Sequence, residues 1–228
     1  MPIQMLLLTK KRNIVGRVEA MSKIIGVILA GGLATRMGGQ DKGLLQLHGQ
    51  TILDRVVATL TPQVDTLLIN ANGPSERFDN YGLPVISDSK AGFLGPLAGV
   101  LAGMEFARAE GFDWVATVAA DTPFFPQDFV RRCQDVADNV HVPVVLASSF
   151  DAEKNKYMRH PTFGLWHVSL IANLTEALDS GVRKIVLWTD SVGGSEVRFD
   201  RDSNNRDPFF NVNTPQDLDK AIAMESSR

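Results

Sequence analysis

The sequence predicts an α/β fold: a single domain in which a mostly parallel central sheet lies between two layers of helices. Three observations carry that expectation. Short apolar runs at 23–30, 66–69, 114–120 and 143–147 alternate with segments whose apolar residues recur at helical spacing, the pattern of strands buried on both faces and joined by crossover helices. Glycine-rich or polar residues follow the early runs directly, at Gly31, Asn70, Asp88 and Asp121. The chain of 228 residues fits one such domain with a full core, and two would be a squeeze.

Composition narrows the partners. Apolar and charged fractions of 44% and 21% are ordinary for a globular chain, and a net charge of −3 leaves no basic footprint for nucleic acid or an acidic membrane. A polyanion would have to be held by a local cluster. The single cysteine, Cys133, sits at helical spacing among Phe129, Val130, Val136 and Val140 and is expected in the core, so no disulfide or cysteine metal site forms within one chain. Near the N-terminus, the run Met5–Leu8 is too short for an export signal and its positive charges follow it. Residues 1–20 read as an extension, expected to be disordered, ahead of a domain over 21–228 with Met21 as an alternative start. No stretch reaches membrane-spanning length, so a cytoplasmic, monomeric protein is expected.

Taken in order, the first run, Lys23 to Ala30, is a buried strand that ends in glycines. Leu44–Leu47 reads as a short strand and His48–Gln50 as a turn. Ile52, Leu53, Val56, Val57 and Leu60 then share one helix face, with Thr51 as the cap and Pro62 as the stop. Thr66–Ile69 and Leu83–Ser87 are strands, and Pro96 opens a helix in which Gly99 and Gly103 permit close approach to the sheet. After the strand 114–120 come a helix over 127–139 and a strand at 143–147. The polar run Ser148 to Arg159 has few apolar anchors and is expected to be a mobile loop, either a plain connection or a contact to a second substrate. An extended segment at 160–166, helices near 169–179 and 182–187, a strand at 196–199 and a helix over 216–224 capped by Thr214 complete the chain.

In a parallel sheet the four early strand ends emerge along one edge, where open α/β sheets bind their ligands. Each aspartate alone could be a helix cap or turn residue; together they mark a site. The stretch from Ile28 to Leu44 is the strongest part. Gly31 and Gly32 let a ligand touch the main chain, a helix beginning near Thr35 would add its positive end, and Arg36 and Lys42 add whole charges. It reads as a polyphosphate cradle. No Gly-Lys-Ser/Thr follows at Walker A spacing, and Gly-x-Gly-x-x-Gly is absent. The four histidines, 48, 141, 160 and 167, show no metal spacing.

Leu29 to Lys42 resembles, without a gap, the signature Leu-Ala-Gly-Gly-x-x-x-Arg-Met-Gly-Gly-x-Asp-Lys of the molybdenum cofactor guanylyltransferases. Gly95–Gly99, Asp121-Thr-Pro, His160-Pro and Asn211-Val-Asn-Thr-Pro resemble further segments of that family, and the likeness runs from about Ser22 onward. It implies a Rossmann-like, nucleotide-diphospho-sugar-transferase-like three-layer sandwich that transfers GMP from GTP to the phosphate of molybdenum-molybdopterin. It implies GTP contacts at Leu29, Ala30, Gly31, Gly32, Lys42, Asn70, Asp88 and Asp121, with Arg36, Lys42 and Asp121 catalytic. Mg2+ is expected on Asp121 with Asn213 assisting, and molybdenum-insertion and apoenzyme-chaperone proteins are expected partners.

The residues make chemical sense of this. Magnesium keeps most of its waters and takes one or two carboxylates, so one well-placed aspartate suffices. An attacking phosphate is already ionised, which removes the need for a general base. Guanine offers two adjacent donors that a carboxylate such as Asp88 can accept, whereas cytosine does not. Two other readings stay open: a CTP-dependent enzyme acting on molybdopterin or on a sugar or alcohol phosphate, and a non-catalytic GTP-binding module.

Overall fold

The computed structural model describes residues 23–31, 41–90, 92, 95–202 and 206–225. Its strands are β1 (Ile24–Leu29), β2 (Gln46–Leu47), β3 (Gln50–Thr51), β4 (Thr66–Asn70), β5 (Val85–Ile86), β6 (Trp114–Ala119), β7 (Val144–Asp151), β8 (Lys156–His167) and β9 (Ser195–Phe199). The helices are α1 (Ile52–Leu60), α2 (Pro96–Ala109), α3 (Phe129–Val140), α4 (Ile171–Asp179), α5 (Ile185–Ser191) and α6 (Pro215–Glu225).

Seven strands form the central sheet in the order β5-β4-β1-β6-β8-β7-β9. β5, β4, β1 and β6 are mutually parallel, β9 is parallel to β7, and only β8 runs against its neighbours. The mostly parallel sheet is as the sequence predicts. Each face has its own core, because strand residues alternate between faces. Ile28, Ala116 and Val118 pack with Leu53 and Val56 of α1, Phe129 and Cys133 of α3 and Ala221 of α6. Val27, Leu29 and Val115 pack with Val100 and Met104 of α2, Leu174 of α4 and Trp188 of α5. Burial in the first of these cores pushes the Cys133 thiol far above its usual range, so it stays a protonated apolar filler.

Local chemistry explains the element boundaries. Thr51 caps α1 reciprocally with Asp54: the Asp54 amide donates to Thr51 Oγ1 at 2.9 Å and the Thr51 amide to Asp54 Oδ2 at 2.7 Å. Thr214 and Asp217 do the same at α6. β2 and β3 form a two-residue hairpin whose turn, His48 and Gly49, has φ of 50° and 80°, as such turns require. The glycines of α2 lie where the helix touches the sheet: a Cβ on Gly103 would come within 2.9 Å of Val27 Cγ2.

One expectation is overturned. Residues 148–159 form no mobile loop; they continue β7 and β8 as a hairpin paired from Ser148↔Arg159 to Asp151↔Lys156. Phe150 and Tyr157 stack edge to face across it at 5.5 Å, and β9 covers its other side through Ser148↔Arg198 and Ser149↔Phe199. Its only buried residues are the polar Ser148 and Ser149, so there was no apolar alternation to read. A turn of 3-10 helix at Glu76–Tyr81, also unforeseen, follows β4.

Candidate active site

The carboxyl ends of β5, β4, β1 and β6 meet along one edge. The Ala30 amide donates to Asn70 O at 2.9 Å and the Ala120 amide to Leu29 O at 3.1 Å, which locks the end of β1 between its two neighbours. A cleft of about 670 Å³ opens there, lined among others by Leu29, Ala30, Gly31, Asn70, Asp88 and Asp121. A recess of about 100 Å³ shares Leu29, Ala30, Gly31 and Asp121 and adds Lys42. Those expected site residues are thus brought together. Gly32, Arg36 and the helix expected near Thr35 lie outside the described residues.

At the β5 end, Asp88 is held by two amides. Asn70 Nδ2 donates to Asp88 Oδ1 at 3.1 Å and Asn72 Nδ2 to Asp88 Oδ2 at 2.8 Å, while the Asp88 amide donates back to Asn72 Oδ1 at 3.0 Å. Each carboxylate oxygen retains a further lone pair. Asn70 is only 3% exposed, and its amide also reaches Ile86 O at 3.3 Å. Gly99 of α2 backs this clamp, since a Cβ there would overlap Asn70 Oδ1. Arg77 borders the same part of the cleft: it donates to Asn72 O at 2.7 Å, lies over the Phe78 ring at 4.6 Å and pairs with Asp41 at 2.5 Å.

At the β6 end, Lys42 lies between two oxygen acceptors. Its Nζ is 3.7 Å from Asp121 Oδ2 and donates to Asn213 Oδ1. Burial pushes the Asp121 carboxyl above its ordinary value, and the nearby Lys42 charge only partly offsets this. The Val212 amide donates to Asp121 O at 2.9 Å, so the segment before α6 is attached directly to the end of β6. Asp217 steadies that segment by accepting from the Asn213 and Thr214 amides and the Thr214 hydroxyl, bonds that also lower its pKa. Among the described residues no cluster of three His, Cys, Asp or Glu side chains could hold a metal. The oxygen donors available are one carboxylate and one amide, a set suited to a hard cation that keeps its waters.

Asn72, Arg77, Thr162, Asn211 and Asp217 were not singled out individually from the sequence. Asn72 had a faint signal, because it follows Asn70 by two in the same polar cluster. Arg77 had none, since a lone arginine in a loop carries no spacing. A second cavity of about 650 Å³ lies between α4 and α5, lined by Asn173, Glu176, Arg183, Leu187 and Trp188. None of the strand-end residues above reaches it, and no paired carboxylate chemistry is assigned to it.

The chain matches the MobA-like NTP transferase domain family over residues 26–192. It is 42% identical over 199 residues, 86% of this chain and 91% of the relative, to a molybdenum cofactor guanylyltransferase of Nitrobacter hamburgensis. A protein of the same name from Mesorhizobium japonicum is 41% identical over 207 residues, 90% of this chain and 97% of that one. The crystal structure of molybdopterin-guanine dinucleotide biosynthesis protein A from Archaeoglobus fulgidus is similar at a TM-score of 0.69 and 21% identity, covering 90% of this chain and 100% of that one. A 4-diphosphocytidyl-2C-methyl-D-erythritol synthase from Anaerococcus prevotii also reaches 0.69, at 13% identity, covering 90% and 96%. The two structural likenesses establish the fold. Among the described residues no helix is long and apolar enough to cross a membrane.

Proposed function

The chain belongs to the MobA-like NTP transferases, and from that premise we propose that it transfers GMP from GTP to the phosphate of molybdenum-molybdopterin and releases pyrophosphate. At the coarser level it is a nucleotidyltransferase of molybdenum-cofactor dinucleotide synthesis. The observation that carries the finer reading is the position of Lys42 against Asp121 and Asn213, in a cleft whose other side holds Asp88. Asp88 and Asp121 follow strands three places apart in the sheet, roughly 14 Å at ordinary strand spacing. That span suits a purine base at one end and a polyphosphate at the other.

The roles follow from the chemistry of each group. Asp88, oriented by Asn70 and Asn72, accepts the N1 and exocyclic N2 hydrogens of guanine on its remaining lone pairs. The main chain at Leu29, Ala30 and Gly31 lies against the nucleotide, and from their residue types Gly32 would add unhindered main chain and Arg36 a whole charge to the cradle. An oxygen of the acceptor phosphate attacks the α-phosphorus of GTP. The new P–O bond forms as the bond to the bridging oxygen breaks, and pyrophosphate leaves with that electron pair. Lys42 neutralises negative charge on the phosphates as it builds, where such stabilisation gains most. Asp121 and Asn213 fit magnesium, which when bound would supply further charge neutralisation at the α-phosphate and pyrophosphate.

Pyrophosphate release is measured with magnesium and molybdopterin, offering GTP, CTP, ATP and UTP separately, and the best reaction is repeated with Asp121→Asn. Release with GTP alone and its loss in the variant are expected. Preference for CTP would overturn the role of Asp88, and release with no nucleotide would overturn the reading. Burial raises the Asp121 carboxyl in the metal-free protein, and protonation removes the ligand, so activity is expected to fall on the acid side and added magnesium, which competes with the proton, to move that limb to lower pH. The sign for stability is opposite to that for activity. A carboxyl whose folded pKa is raised destabilises the fold when ionised, above that pKa, so Asp121→Asn is expected to raise Tm at neutral pH while abolishing turnover.

A further inference from the structure

We propose that His160 is a positioning residue for the phosphate end of the site: through Ser149 and Asp207 it fixes the segment 207–213, which presents Asn211 and Asn213 to the reacting phosphates. This rests on the function proposed above. None of the three side chains lines the cleft.

The argument starts from an irregularity in the sheet. β8 pairs with β7 up to Leu146↔Gly164 and resumes at Ala147↔His160, so three residues of β8, Pro161, Thr162 and Phe163, bulge where β7 has none. Pro161 has no N–H to give to a ladder, and proline in a sheet is confined to edges and bulges. The bulge separates two directions. Thr162 borders the cleft, with its carbonyl held by the Thr117 hydroxyl at 2.9 Å, while Phe163 enters the core at 2% exposure. His160, at the start of the bulge, stacks on Phe209 with ring centroids 4.3 Å apart.

The polar contacts define a chain with a single sense. Ser149 Oγ donates to Asp207 Oδ1 at 3.1 Å and lies 2.8 Å from His160 Nε2. A hydroxyl has one proton, so with it committed to Asp207 the imidazole must be the donor, which fixes the Nε2–H tautomer. Burial lowers the His160 pKa, against the pull of Asp207, and favours the neutral ring that this arrangement uses. Asp207 Oδ1 also accepts from the Phe209 amide at 3.0 Å, and Phe209 packs against Phe163 and Phe199. Two residues beyond Phe209, Asn211 borders the cleft; then Val212 binds the Asp121 carbonyl and Asn213 meets Lys42. Asp217 secures the far end of the segment. The near end is secured by His160, Ser149 and Asp207.

Asp88 and its amides are independent of this network, so its loss separates the chemical step from recognition of the base. His160→Phe keeps a ring over Phe209 and removes the donor, and His160→Gln restores a donor. Steady-state kinetics with GTP and molybdopterin, and hydrogen exchange of the full chain without substrates, provide two readouts. For His160→Phe, kcat is expected to fall on the order of tenfold or more, the usual cost of a small misplacement. The GTP KM is expected to stay within about twofold, because binding and positioning are separable terms. The amides of Phe209 and Val212 are expected to exchange faster, and Gln is expected to recover both effects in part. Ser149→Ala breaks the same link with a smaller change and should behave like Phe. An unchanged kcat would overturn the proposal, as would parallel losses in kcat and GTP affinity with exchange raised throughout the chain. A wild-type protein that turns over no GTP removes the functional reading alone. The positioning claim then stands or falls on Phe209 and Val212, and unchanged protection there in His160→Phe ends it.

Discussion

The two sides of the cleft hold their carboxylates by opposite means. Asp88 sits among short-range partners: Asn70 and Asn72 are 18 and 16 residues away, on the neighbouring strand end, and satisfy one oxygen each. Among the described residues Asp121 has Lys42 as its one cation, 3.7 Å away, and a burial that resists its charge. The first arrangement is a finished recognition surface, since a carboxylate with oriented donors needs little reorganisation to accept a base. The second is poised, with charge that further phosphate and metal ligands would complete. On the proposed reading, binding and chemistry occupy separate places along one sheet edge.

Substitutions can break or sharpen that contrast. Lys42→Ala should have the largest effect, about 10³-fold on kcat, with a smaller change in GTP affinity. Equal losses in kcat and affinity, measured by pyrophosphate release and nucleotide titration, would erase the distinction. Asp88→Asn should act on the other side, reducing the preference for GTP over CTP by about 1–3 kcal/mol while kcat with saturating GTP holds. Competition between the two nucleotides measures it. Gly99→Ala tests the support beneath the base end: its Cβ would overlap Asn70 Oδ1 and approach Leu29 Cδ2 to 2.9 Å. The expected cost is about 1–2 kcal/mol of stability, read by thermal melting, together with weaker GTP binding and an unchanged acceptor KM.

Much of the β4–β6 side was legible because its information is local. Apolar runs gave strands, the residue after each run gave the edge, and Gly99 and Gly103 gave the close approach of α2, all within short windows of sequence. On the opposite side the strands at 143–147, 160–166 and 196–199 were legible, but the hairpin and the side-chain contacts were not, for two physical reasons. The only buried residues of the hairpin at 148–159 are Ser148 and Ser149, so the period-two apolar signal that marks a strand was absent. Contacts such as Ser149 to Asp207 and Lys42 to Asn213 join residues 58 and 171 positions apart, and composition carries no trace of which distant polar groups will meet. Arg77 falls between these cases, near its partners in the fold but in a loop without periodicity.

The bond between Lys42 and Asn213 also has a temporal meaning. A ribosome releases the chain from its first residue onward, and a domain folds as a unit once enough of it has emerged. The strands that carry Asp88 and Asp121 are synthesised long before Asn213. Phe209, Val212 and Ala221, which share a core with Ile28 and Val118, arrive with it. The last stretch of the growing polypeptide therefore closes the core and brings the lysine its amide partner in the same step.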